Sequence, residues 1–172
     1  MYFSMISAHD RNLGIGFKNE IPWYIPEDFK WFKEKTNNNV VIMGMNTYFS
    51  LPKKNRPLPN RKNIVLCNDP MNIRIIENEG AIVFSSINSV IEYCSNLIGK
   101  ECFVIGGESI YKQFIDKVSL LYLTEIDEVF ECDTFFPKIN YNDWNNIYKS
   151  EEMISKVGDL KFTFNIYKKI IT

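Results

Sequence analysis

A chain of 172 residues with 45% hydrophobic and 15% aromatic side chains is long and apolar enough to bury the core of one domain. Its 20 basic and 21 acidic residues leave a net charge of −1, which excludes recruitment of nucleic acid or a membrane surface by bulk attraction. No apolar run reaches the roughly 18 residues of a membrane helix. The start, Met1-Tyr2-Phe3-Ser4, carries no basic segment or cleavage signature of a secretory signal. Cys67, Cys94, Cys102 and Cys132 are widely spaced and read as reduced thiols of a cytoplasmic protein. His9 is the only histidine, so no zinc site or Ser-His-Asp constellation is expected, and no metal.

In chain order, a strand is predicted over residues 3–8, followed by a long loop over 10–22 that carries Gly14 and Gly16. The most informative stretch comes next: Ile21-Pro22-Trp23-Tyr24-Ile25-Pro26-Glu27-Asp28-Phe29-Lys30-Trp31-Phe32. Pro22 and Pro26 fix their own φ and push the residue before each towards extended geometry. A helix over 27–35, beginning near Pro26, places Asp28 in its first turn. Trp31 and Phe32 follow at i+3 and i+4 and share its face. If that face is directed at the core, the carboxyl lies against apolar rings. Desolvation then raises its pKa and suits it to handling protons near neutral pH. The same pattern also reads as two acids, Glu27 and Asp28, complementing the helix dipole.

A strand over 40–43 runs into Gly44 and a helix start, where Thr47 either caps the helix or meets a phosphate. The polar stretch 52–62 carries three prolines and reads as a surface loop. Arg56, Arg61 and Lys62 lie in or beside it, either solvated or able to fork onto a ligand carboxylate. Strands over 63–67 and 81–84 and a helix over 87–97 follow. The strand over 102–105 ends in Gly106-Gly107 and leads into a helix over 109–115. Two glycines there form either a tight turn or a close approach to an anion at the helix N-terminus. The GxGxxG fingerprint is absent, so a Rossmann assignment has no support. A strand over 120–126 and a final run over 161–170 complete the chain. The final run alternates strictly and reads as an antiparallel edge strand with one solvated face. Strands alternating with helices indicate an α/β sheet with parallel crossovers, and no repeat or linker divides residues 1–172.

Together these segments resemble dihydrofolate reductase, in order and with few gaps. Asn12-Leu13-Gly14-Ile15-Gly16 with Ile21-Pro22-Trp23 looks like that family's mobile loop, and Pro26-Glu27-Asp28-Phe29-Lys30-Trp31-Phe32-Lys33 like the helix bearing its lone acid. Val41-Ile42-Met43-Gly44, Thr47, Ser50 and Arg56-Pro57-Leu58-Pro59-Asn60-Arg61-Lys62-Asn63 match the next block. Ile105-Gly106-Gly107, Ile110-Tyr111, Leu123-Thr124 and Asp133-Thr134-Phe135-Phe136-Pro137 match the last.

The resemblance implies a mixed, mostly parallel eight-stranded sheet flanked by helices, with an antiparallel C-terminal strand. It implies hydride transfer from NADPH to C6 of 7,8-dihydrofolate, with a proton to N5, giving tetrahydrofolate for one-carbon metabolism and thymidylate synthesis. Asp28 would bind the pterin and support N5 protonation, backed by Thr124, with Tyr111 and Ile21 near the nicotinamide. Ile6, Ala8, Phe29, Phe32, Ser50, Leu51, Leu58 and Ile105 would line the folate cleft, and Arg61 would clamp a glutamate carboxylate. Ala8, Ile15 and Gly16 would meet the nicotinamide end of the cofactor; Gly44, Thr47, Gly106, Gly107 and Glu108 would lie at the pyrophosphate. Met45, Asn46, Leu66, Cys67, Asn68, Ser85, Ser109 and Ile110 would lie at the adenosine end. Antifolates would be further ligands, and a cytoplasmic monomer is expected.

One departure stands out. Where the family usually carries basic residues for the 2′-phosphate, the matching positions are Met45, Asn46, Asn68, Ser85 and Ser109. Hydroxyl and amide groups hold a phosphate less strongly than Arg or Lys; Lys53, Lys62 and Arg74 are the cations left to reach it. Two rivals stand beside this reading. A reductase of a ribosylated pyrimidine in riboflavin synthesis would need neither the Trp-Tyr-Ile-Pro-Glu-Asp block nor a cation at 61. A non-catalytic binding module would not need Asp28, Thr124 and Tyr111 together.

Overall fold

The computed structural model describes residues 3–171. Its first half runs β1 (Phe3–His9), β2 (Gly14–Gly16), α1 (Pro26–Thr36), β3 (Val40–Gly44), α2 (Met45–Ser50), β4 (Lys62–Leu66), α3 (Pro70–Asn78) and β5 (Ile82–Phe84). The second half runs α4 (Ile87–Ser95), β6 (Cys102–Gly106), α5 (Glu108–Phe114), β7 (Leu120–Ile126), β8 (Thr134–Phe135), β9 (Trp144–Lys149), β10 (Met153–Ile154) and β11 (Lys161–Lys169). The main sheet has the order β10-β11-β7-β1-β6-β3-β4-β5. The six strands from β7 to β5 are parallel, and β11 joins β7 antiparallel. The expected mixed sheet is therefore present, eight positions wide.

The outer position departs from expectation. β11 is not the edge, because β9 and β10 share its far side, β9 along Asn165 to Lys169 and β10 along Lys161 and Phe162. Its second face is not wholly solvated either: Asn165 is buried, accepting from Asn146 Nδ2 at 3.0 Å and donating to Thr163 Oγ1 at 3.3 Å.

Strand alternation separates the two larger of three core clusters, the third lying around Trp23, Ile25, Ile126, Phe162 and Phe164. Phe3, Met5, Val40, Ile42, Cys102 and Val104 point to one face, beneath α4 and α5. Ile6, Val41, Met43, Val65 and Phe103 point to the other, beneath α1, α2 and α3. Both faces are covered, which is why these strands read as continuous apolar runs. Each fully buried aliphatic side chain contributes roughly 1.5–3 kcal/mol. The helices change faces between α3 and α4, so their N-termini converge on one crevice along the strands' carboxyl ends.

Several elements have no counterpart among the predicted ones: α3 and the short strands β2, β8, β9 and β10. α3 is opened by Asp69, which accepts from Asn72 N at 3.0 Å, with Pro70 at its first position. Within the loop over 10–22, β2 pairs with β8, so part of that loop is a short ribbon.

Candidate active site

Pro26 starts α1, as the sequence predicts, and Ile25 before it is extended (φ −127°, ψ 94°). The face carrying Asp28, Trp31 and Phe32 is directed at the core, with Trp31 and Phe32 half-buried against it and only Thr36 of the helix fully buried. Phe29 is half-exposed, and Trp31 stacks on Phe164 at 4.2 Å. Asp28 is thus half-buried as a residue, with its carboxyl shielded from water. Thr124 on β7, beside Ala8 on β1, donates its hydroxyl to Asp28 Oδ1 at 2.5 Å. Burial pushes the Asp28 carboxyl up to about 6, the Thr124 hydrogen bond opposing it. Glu27 does the opposite: Lys156 N donates to it at 2.8 Å and the Ser155 hydroxyl at 2.9 Å. The Lys156 backbone N–H and these other contacts hold its carboxyl below the usual range. Of two adjacent acids, one ties α1 to the 155–156 turn and the other is desolvated in the cleft.

Opposite Asp28, Tyr111 on α5 donates its hydroxyl to the Ile6 carbonyl at 2.8 Å and is buried. Burial raises its pKa, and the Asp28 charge adds to the rise. Gly106 ends β6 at φ +121°, a conformation few side chains tolerate, and a Cβ there would meet the Tyr111 ring at 3.3 Å. The Gly106–Gly107 peptide is cis. A Cβ on Gly107 would lie 3.3 Å from Thr47 Oγ1. Thr47 is not a cap: Gly44 occupies the N-cap of α2 and makes no side-chain cap bond. The hydroxyl is instead set against the glycine pair, between the starts of α2 and α5.

The three loop cations separate clearly. Arg56 grips Glu79 with two bonds, at 2.8 and 2.7 Å, and Tyr48 donates to the same carboxylate at 2.6 Å. Lys62 donates to the Tyr93 hydroxyl at 3.1 Å. Arg61 has only neutral partners, donating Nε to the Pro59 carbonyl at 2.9 Å and Nη1 to Thr36 Oγ1 at 3.1 Å. Its guanidinium lies 5.9 Å from the Phe32 ring centroid. No carboxylate pairs with it among the described residues. Burial lowers its pKa. It is a partly desolvated fork held in place with its remaining donors uncommitted.

A cleft of about 410 Å³ opens at the carboxyl ends of β3, β4 and β5 and under α5. Met45, Leu66, Cys67, Asn68, Ser85 and Ile110 line it, together with Asp69, Ser86, Ile87 and Gln113. Among the described residues no three His, Cys, Asp or Glu side chains gather to hold a metal. No described helix is long and apolar enough to cross a membrane.

Residues 2–169 match the family model described as dihydrofolate reductase. The chain belongs to the dihydrofolate reductase family. It is similar to the dihydrofolate reductase of Buchnera aphidicola subsp. Acyrthosiphon pisum, 40% identical over 98% of this chain and 100% of that one. The Bacillus subtilis dihydrofolate reductase is 36% identical, over 96% of this chain and 94% of its own. Among solved structures, dihydrofolate reductase from Enterococcus faecalis, complexed with NADP(H) and RAB-propyl, superposes with a TM-score of 0.87 at 31% identity, covering 99% of this chain and 97% of that one.

Of the residues singled out in the sequence, Met45, Leu66, Cys67, Asn68, Ser85 and Ile110 line the cleft, and others lie at the carboxyl ends of the parallel strands or on the helices beside them. Ile6 is buried and Ala8, Phe32, Leu51, Leu58 and Ile105 are half-buried. Ser50 is exposed, its hydroxyl donating back to the Thr47 carbonyl at 2.7 Å. Ile15 and Gly16 sit on β2, and Asp133 N donates to the Gly16 carbonyl at 2.9 Å. Ile21 lies beyond, 53% exposed. At the other end, Asn46 and Ser109 are exposed. The Glu108 side chain turns away to Phe135 N at 3.2 Å and Lys112 at 3.4 Å, leaving its backbone for any anion. One supporting residue was missed, and a second was placed without its polar atom. Asp10 is buried and accepts from the backbone N–H groups of Asn12, Gly14 and Phe130 at 2.9, 2.7 and 2.9 Å, clamping the loop after β1. An acid directly before a polar, glycine-bearing loop was the available signal. Trp31 Nε1 is a buried donor without a partner among the described residues; spacing marked its face but not this polar atom.

Proposed function

We propose that this chain reduces 7,8-dihydrofolate to tetrahydrofolate with NADPH, and that Asp28 supports delivery of the proton to N5. The observation that carries the reading is the single desolvated carboxyl in the cleft, raised to about 6 and hydrogen-bonded by Thr124. An acid tuned close to working pH both binds a protonated or amino-bearing ring and hands on a proton. The dinucleotide supplies the hydride when bound. The residues present fit it: a glycine pair whose close approach a Cβ would obstruct, a hydroxyl against that pair, and a cleft of about 410 Å³ beyond.

In this reading Asp28 fixes the pterin, Thr124 holds the Asp28 carboxyl in one orientation, and Tyr111 closes the floor beside Ile6. Phe32, Leu51 and Leu58 exclude water along the folate, and Arg61 receives its glutamate carboxylate. Ile15, Gly16 and Ile21 cover the reacting rings. Alignment and water exclusion are what the protein adds to the cofactor's chemistry. Antifolates would occupy the same cleft. The working form is a cytoplasmic monomer of one domain spanning 1–172, without nucleic-acid partners, feeding one-carbon metabolism and thymidylate synthesis.

The deciding assay follows NADPH oxidation on addition of dihydrofolate. Turnover with dihydrofolate and none with a ribosylated aminopyrimidine supports the reading. Turnover of the pyrimidine alone, or of neither, overturns it.

A further inference from the structure

We infer that this chain discriminates only weakly between NADPH and NADH, because the cleft that receives the adenosine ribose offers a phosphate no cation. The inference rests on the proposed reductase function for the identity of the ligand and on the cleft itself for its selectivity.

The cleft lies where an α/β sheet receives a nucleotide, outside the carboxyl ends of parallel strands. It shares α2 and α5 with the Thr47–Gly107 cradle, since Met45 opens α2 and Ile110 lies on α5. A dinucleotide whose phosphates rest on that cradle therefore extends its adenosine half into this cleft. No Lys or Arg lines it; the only charged lining residue is Asp69. Its other polar groups are the amides of Asn68 and Gln113 and the hydroxyls of Ser85 and Ser86.

Neighbouring cations are engaged elsewhere or stand outside the lining. Lys62 is on Tyr93, Lys112 on Glu108 and Arg56 on Glu79. Arg74 is on the exposed side of α3 and Lys53 on the exposed 52–55 turn. Met45 is pinned, its thioether accepting from Cys67 Sγ at 3.5 Å and Asn72 Nδ2 at 3.1 Å.

Amides and hydroxyls can bond either a free ribose hydroxyl or a phosphate ester, with a modest gain for the charged group. The large advantage of a phosphate comes where Arg or Lys adds its own charge and fork. Asp69 pushes the balance further. One of its oxygens caps α3 through Asn72 N; as a carboxylate it repels a second anion and can accept from a hydroxyl, as acidic residues do for a 2′-OH in dinucleotide folds.

Two measurements test this on the intact chain. The first is kcat/KM with dihydrofolate for NADPH and for NADH across a range of salt. The expected ratio is below about a hundredfold and nearly flat with salt; a larger or steeply salt-dependent ratio overturns the inference, because it requires a cation in the cleft. The second needs no turnover: calorimetric binding of adenosine 2′,5′-bisphosphate against adenosine 5′-monophosphate. Met45→Arg should raise the preference for the bisphosphate by about tenfold or more, and Ser85→Lys should do the same if the first variant folds poorly. Equal effects on both nucleotides from both variants overturn the inference. A chain inactive on dihydrofolate whose two adenosine nucleotides still bind with similar affinity refutes the reductase reading and leaves this one standing.

Discussion

The two ends of the crevice are built to opposite rules. Around Asp28 and Arg61, the polar groups are desolvated and held in advance: Thr124 fixes Asp28, and Pro59 and Thr36 fix Arg61 without neutralising it. In the cleft beside Met45 and Ser85, the lining is neutral apart from Asp69, with Cys67 Sγ donating to the Met45 thioether and the Ser86 hydroxyl paired with that of Ser89. The first arrangement turns a small charge into strong selectivity, because a fixed ion in a shielded site has little left to reorganise. The second grips shape rather than charge. The difference predicts where substitutions will hurt.

The largest effect is expected at Asp28. Asp28→Asn preserves size and can still accept from Thr124, but removes the titrating group. Activity at pH 7 should fall about 10²-fold or more. The wild-type rate should decline above a pH of about 6 as the carboxyl ionises, and the mutant profile should lack that limb. Folding stability should depend on the same proton. The carboxyl's ordinary value is 3.8 and its folded value about 6, so between these the folded chain holds a proton that the unfolded chain releases. Folding stability therefore falls as pH rises through that window, by up to about 3 kcal/mol. Asp28→Asn should recover most of this at pH 8 and little at pH 4 in denaturant titrations. A mutant that is both active and no more stable at pH 8 would remove Asp28 from the site.

Next in size is Arg61. Lys cannot reproduce a fork that donates to Pro59 and Thr36 while presenting further N–H groups. Arg61→Lys should raise KM for dihydrofolate by about tenfold, the scale of one charge-assisted bond, with little change in KM for NADPH. Equal changes in both constants would make Arg61 a loop anchor like Arg56.

Much of this contrast was legible in the chain. Pro26 announced the start of α1, and spacing alone placed Asp28, Trp31 and Phe32 on one face. The sheet followed from apolar runs that alternate with helices, since strands buried on both faces leave a strong signal. What failed to show was anything set by a partner distant in sequence. Glu27 and Asp28 look alike until Ser155 and Lys156 arrive to satisfy one of them. Arg56 and Arg61 look alike until Glu79 claims one. Thr47 at a helix start reads as a cap until Gly44 takes that place. β9 and β10 are short, mostly exposed strands, so no core pattern marks them.

The smallest expected effect sharpens the contrast most finely, because it concerns the residue next to Asp28. The Glu27 carboxylate bonds to Ser155 Oγ and Lys156 N, away from the cleft, and those bonds favour its ionised form. Glu27→Gln keeps one acceptor oxygen for this turn and places no charge change in the crevice. Its kcat/KM for dihydrofolate should stay within about twofold of wild type, the usual scale for a surface substitution, and the pH limb near 6 should remain in place because Asp28 still titrates. A fall comparable to that of Asp28→Asn, or loss of that limb, would mean that the two acids act as one coupled pair. The assignment of proton handling to Asp28 alone would then fail, despite its separate partner in Thr124.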